Sequence, residues 1–182
     1  MVRSNRVRQW ELRGDNRANL VTVRVGSSGQ INLYNSSGSV DVIADVVGWF
    51  GVSGNLTGAS LLPLSPYRIF DSRPSSYTSL PPEAITAGAP RTVNLTEQGS
   101  GVPIGTAKAV LANVTSVGAD TNGYLTMWPT GEGQPGASTI NLRAGEVRPN
   151  LVSERLKSNG TAQVAVSAGA TDLVVDVVAW YG

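Results

Sequence analysis

Asp172-Leu173-Val174-Val175-Asp176-Val177-Val178-Ala179-Trp180-Tyr181-Gly182 closes the chain, and Asp41-Val42-Ile43-Ala44-Asp45-Val46-Val47-Gly48-Trp49-Phe50-Gly51 stands 131 positions before it. Both stretches are dense in β-branched and aromatic residues and carry no helical stripe. The closing one reads as a strand buried on both faces or nearly so, and its copy reads as the same strand. The offset of 131 holds without a gap between 14–51 and 145–182, so that Asn19-Leu20-Val21 returns as Asn150-Leu151-Val152. A constant period through turns as well as strands marks a duplicated folding unit.

Turn chemistry repeats with the strands. In the first copy, strands are expected over 19–25 and 30–34 around Gly26-Ser27-Ser28-Gly29, with Asn35-Ser36-Ser37-Gly38 leading into the last strand. In the second copy, strands over 150–156 and 161–166 flank Ser158-Asn159-Gly160, and Ser167-Ala168-Gly169 precedes the closing strand. The pattern reads as a meander. Upstream, strands are expected over 67–73, 91–95, 107–116, 123–128 and 138–142, with Asp120-Thr121-Asn122-Gly123 as a hairpin turn.

Eight short strands without a helix predict an all-β fold. The expected form is an antiparallel β-sandwich, Greek-key or jelly-roll-like, with a β-barrel as the alternative. Residues 1–51 are expected to be an incomplete first β-unit, the C-terminal part of a repeat, 52–61 a linker, and 62–182 a complete unit. The segment 74–90 holds four of the ten prolines and reads as a long loop. The first unit supplies about three strands, too few to cover its own edges and apolar face. It must pack on the second unit, be completed by a neighbouring chain, or belong to a longer array.

Composition excludes several functions. Lys+Arg 14 against Asp+Glu 13 leaves a net charge of +1 with no basic run, which argues against nucleic acid or an anionic membrane surface as partner. No window reaches the roughly 18–20 apolar residues of a membrane helix, so no membrane insertion is expected. The basic start Met1 to Arg8 is followed by no apolar signal-peptide core. Histidine and cysteine are absent, which removes Ser-His-Asp and Cys-His nucleophiles, imidazole or thiolate metal sites and thiol redox chemistry. No metal or cofactor is expected.

Carboxylates remain. Asp172 and Asp176 share one strand face, as do Asp41 and Asp45, but residues four apart on a strand lie about 13 Å from each other, beyond the roughly 5–9.5 Å of glycosidase pairs. A structural ion pair suits them better, with Arg68 and Arg73 of the entry strand as partners for Asp176, and Asp45 in its place in the first copy. Asp120 to Gly123 resembles the opening of a calcium loop but lacks the downstream Glu, and the hairpin reading leads. Tyr124, Thr126 and Trp128 fall on one strand face and form a candidate sugar-stacking platform, although an inward-facing core Trp128 gives the same pattern.

The order Arg68-Ile69-Phe70-Asp71-Ser72-Arg73, Ala112-Asn113-Val114-Thr115, Gly123-Tyr124-Leu125-Thr126-Met127-Trp128-Pro129, Asn150-Leu151-Val152 and Asp172 to Tyr181 resembles a tandem module of actinobacterial secreted and cell-surface proteins. Its strands read "RLLDTR", "GYLTVWP" and "LYNSAGSTHVIADVVGYF". The first copy, Ile31-Asn32-Leu33-Tyr34-Asn35-Ser36-Ser37-Gly38 onward, is the nearer to that ending, whereas the second departs at Ala165-Val166-Ser167. The resemblance implies an extracellular or cell-surface location and supplies no catalytic mechanism. The expected function is a noncatalytic structural or adhesive module, with cell-wall or environmental polysaccharide as candidate ligand. The alternative is a subunit of a homo-oligomer, surface array or filament, self-assembled by inter-chain strand complementation of the first unit.

Overall fold

A computed structural model describes residues 15–23, 25–51, 58–74, 83–96 and 99–182. Among these, the strands are β1 (Leu61–Asp71), β2 (Ile85–Thr86), β3 (Arg91–Asn94), β4 (Ala109–Val117), β5 (Gly123–Pro129), β6 (Ile140–Leu142), β7 (Val147–Arg155), β8 (Thr161–Val166) and β9 (Ala170–Tyr181). They form two antiparallel sheets. One runs β1-β9-β4-β7, with β2 paired to the start of β9, and the other runs β3-β8-β5-β6. The sheets are not closed on each other. This is a two-sheet sandwich in jelly-roll order.

Only β5 and β6 are both successive in the chain and hydrogen-bonded to each other. From β3 onward every other step crosses to the opposite sheet, which corrects the expected meander. β7 pairs with β4, β8 with β3 and β5, and β9 with β1, β2 and β4. None of the last three strands pairs with another of the three. The turn at 120–123 is likewise no hairpin, since β4 and β5 lie in different sheets. Its side chains pin the crossing instead: Asp120 Oδ1 accepts the Ala170 N–H at 2.8 Å, and Asn122 Oδ1 accepts the Ala144 N–H at 3.0 Å.

The core follows from strand alternation. Along β4, Val110, Ala112, Val114 and Ser116 are buried, while the residues between them are half-buried on the outer face. Val110, Val114, Leu125, Val164, Val175 and Val177 meet between the sheets with Phe70. Each such side chain contributes about 1.5–3 kcal/mol by leaving water. β9 lies between β1 and β4, and its successive residues Val174 and Val175, on opposite faces, are both buried. β1 starts at Leu61, at the end of the expected linker, whose residues 52–57 lie outside the described residues. β2 forms inside the proline-rich 74–90 stretch, whose residues 75–82 also lie outside them.

The first copy is different. Among the described residues of 15–51 no strand forms, which corrects the strands expected over 19–25, 30–34 and the closing stretch. The reason is topological. Its counterparts β7, β8 and β9 draw all their ladder partners from residues 61–129, and among the described residues no segment pairs with 15–51 in that way. Its turn survives, because a turn needs no distant partner. Gly29 donates to Gly26 O at 3.0 Å with φ 76°, and its counterpart Gly160 donates to Lys157 O at 2.9 Å with φ 67°.

Candidate assembly interface

The aromatic strand does not present a three-residue platform. Tyr124 is 44% exposed, but Thr126 and Trp128 are buried. Trp128 donates its indole N–H to Glu132 O at 3.1 Å, so the loop after β5 is tied back to the ring. The sequence pattern placed the three side chains on one face without showing that this face is covered.

The entry strand β1 grips β9 through charge. Arg68 donates from Nε to Asp176 Oδ1 at 2.8 Å and from its fork to Oδ2 at 3.2 Å. Arg73 turns to Asp71 rather than to Asp176, with Nη2 to Oδ2 at 2.7 Å. Asp71 is fully buried, and hydrogen bonding to Arg73 holds its carboxyl below the ordinary value against the opposing effect of burial. Ser72 completes the grip by donating Oγ to Asp172 Oδ1 at 2.9 Å and accepting the Leu173 N–H at 2.8 Å. Asp71 and Ser72 were visible in the entry motif but not singled out. Asp45, the counterpart of Asp176, is exposed.

The two copies touch at repeat-equivalent positions. Arg148 bonds Asp15 Oδ1 at 2.6 Å, Glu146 Oε2 at 2.8 Å and Asn16 O at 3.0 Å, while Arg17 bonds Asp15 at 2.8 Å. Asp15 and Arg17 are the counterparts of Glu146 and Arg148. The Asp15 and Arg148 side chains are both buried, and hydrogen bonding to Arg148 holds Asp15 below its ordinary pKa. At the other end Phe50 meets its own counterpart Tyr181, ring centroids 6.4 Å apart. The first copy is thus fastened near both ends to its own duplicate. The Asp/Glu-x-Arg spacing shared by the copies was the available signal for this clasp.

Between those ends the same sequence positions experience opposite environments. Ile43 and Val46 are each 91% exposed, whereas Val174 and Val177 are buried. Leu33 and Val42 are exposed opposite buried Val164 and Leu173. One position is inverted: Val23 corresponds to Glu154, buried on β7, where loss of hydration pushes its carboxyl up to about 7. No protein-family model matches this chain, and no curated protein matches it.

Proposed function

We propose that this chain is a noncatalytic structural module of an extracellular or cell-surface protein, and that it works by joining β-units to one another. One observation carries the reading. Repeat positions that form the core in 146–182 stand in solvent in 15–51. An apolar segment with strand-forming sequence and no ladder is an association surface. The noncatalytic part is supported by the absence of His and Cys and by the engagement of Asp15, Asp71, Glu132 and Asp176 with arginines. The location outside the cell rests on the resemblance to actinobacterial exported modules.

Polysaccharide binding has weaker support, because Tyr124 alone of its three residues is exposed. Hydrogen exchange on the isolated chain tests the reading. Amides of 31–50 are expected to exchange nearly as in an unfolded chain while those of 162–181 open only with the whole unit. Equal protection of the two stretches rejects it. Retention on insoluble polysaccharide that is lost in Tyr124→Ala restores the adhesive reading.

A further inference from the structure

Asp71 and Arg148 are buried against opposite charges, Arg73 and Asp15. Glu154 is 7% exposed, and among the described residues its carboxyl has no hydrogen bond or ion pair. A buried carboxyl without a partner is costly to keep, and groups of this kind concentrate at ligand and catalytic sites. Strand pattern does not demand an acid there, since the duplicate holds Val23 at the equivalent place. Burial alone would select an apolar side chain.

Glu154 lines a cavity of about 250 Å³ between the end of β5, the loop after it and β7, and its carboxyl oxygens are not sealed within the protein. That volume is below the roughly 300–1,000 Å³ of sites for drug-sized ligands and suits a group the size of one side chain. Met127, Trp128 and Pro135 supply apolar wall, and the Trp128 ring is held in place by its bond to Glu132 O. The other charges near Glu154 are already matched. Arg155 on its own strand bonds Glu132 on the loop at 2.6 Å, and Lys157 reaches the same carboxylate at 3.4 Å. β4 sets Val110 opposite Glu154, β5 contributes Met127, Trp128 and Pro129, and the first copy adds Val47, none of which titrates. Two carboxylates against one guanidinium give the cavity wall a net charge of −1 when Glu154 is ionised.

We infer that this cavity binds a primary alkylammonium group, with Glu154 as its counter-ion. The ammonium supplies the partner that the carboxyl lacks, through a charge-assisted hydrogen bond in a site partly closed to water. Its methylene stem packs on Met127 and Pro135, and Trp128 adds an aromatic wall of the kind that attracts cations. A neutral or anionic group of the same size leaves the carboxylate unmatched. Burial raises the Glu154 carboxyl to about 7, so its ionised form is scarce in mild acid and dominant at pH 8. Affinity for the cation therefore rises with pH.

The probe is n-butylammonium, titrated into the full chain while the Trp128 indole N–H is followed by NMR. With a pKa near the roughly 10.4 of lysine, the amine stays charged throughout. A saturable shift of that resonance is expected, with affinity about tenfold or more higher at pH 8 than at pH 5.5. Glu154→Gln, which keeps the shape of the side chain, is expected to weaken binding at pH 8 by about tenfold or more. n-Butanol, which tests the charge without any variant, is expected to give no saturable shift. Tighter binding of a capped lysine than of butylammonium assigns the group to a polypeptide, and the reverse order assigns it to a small molecule; both results support the inference. It is overturned if the Trp128 resonance does not respond, if butanol matches butylammonium, or if Glu154→Gln binds the amine as well as the parent chain does.

Discussion

Residues 15–51 and 146–182 are two copies of one sequence in two physical states, and the difference separates what a chain segment encodes alone from what it borrows. The turn at Gly26 to Gln30 has the hydrogen bond and the left-handed glycine of its counterpart at Lys157 to Thr161. Among the described residues, the strands on either side of it are absent from the first copy and present in the second. A turn closes over four residues, so its stability is local. A strand acquires its ladder and its buried face from segments far along the chain, and here the ladder partners are all in 61–129. Composition and β propensity are similar in the two copies; partners are not.

Truncating equivalent side chains in the two copies gives the widest contrast. Leu173 is fully buried in the core, and Leu173→Ala is expected to cost about 2–5 kcal/mol in urea unfolding. Val42, its counterpart, is 59% exposed, and Val42→Ala is expected to change stability by less than about 0.5 kcal/mol. Comparable losses at both positions would mean that the first copy has a core.

Position 154 sharpens the contrast through pH. The folded protein holds the Glu154 proton up to about pH 7, whereas the unfolded chain releases it near 4.5. The folded state therefore binds more protons between these values, and stability falls as pH rises across that window. Glu154→Gln is expected to remove the dependence, stabilising on the order of 2–3 kcal/mol at pH 8 and little at pH 4. Val23→Gln should leave thermal unfolding unchanged at both, since Val23 is 42% exposed. A pH-independent gain from Glu154→Gln would show that the carboxyl is hydrated in the folded state.

The conserved turn yields a smaller split. A Cβ at Gly160 would collide with the Thr96 side chain in a left-handed backbone, and Gly160→Ala is expected to cost about 1–3 kcal/mol. Nothing lies within 4 Å of a Cβ at Gly29, so Gly29→Ala strains one turn and leaves the melting temperature unchanged.

Alternation of Val110, Ala112 and Val114, and the β-branched run of β9, made the strands of the second unit and the sandwich class legible in the sequence. Sheet order was not. Successive strands that cross between sheets carry the same turn residues as hairpins, so Ser158-Asn159-Gly160 and Asp120 to Gly123 look like meander connections. β2 is two residues long inside a proline-rich stretch and exists because the start of β9 receives it. Burial of Trp128 depends on a loop returning over the ring, and the Arg148 clasp joins residues 133 apart. Pattern along one strand carries neither fact.

The smallest effect bears most directly on the carboxylates that the copies share. Arg68 and Asp176 form a two-pronged pair, yet both side chains keep contact with solvent, at 35% and 24% exposed. Solvent screens such a pair, so Asp176→Asn is expected to cost about 1 kcal/mol, less at high salt. Part of Arg68 remains engaged by Asp71 at 3.5 Å, which limits the loss further. Asp45→Asn in the isolated chain is expected to cost nothing measurable, because Asp45 is exposed in a segment whose described residues form no strand. The two substitutions should therefore differ by about 1 kcal/mol in low-salt thermal unfolding, a gap that narrows as salt rises. If Asp45→Asn destabilised the lone chain as much as Asp176→Asn, the carboxylate at position 45 would already be paired, and the two copies would differ in packing but not in their charge contacts.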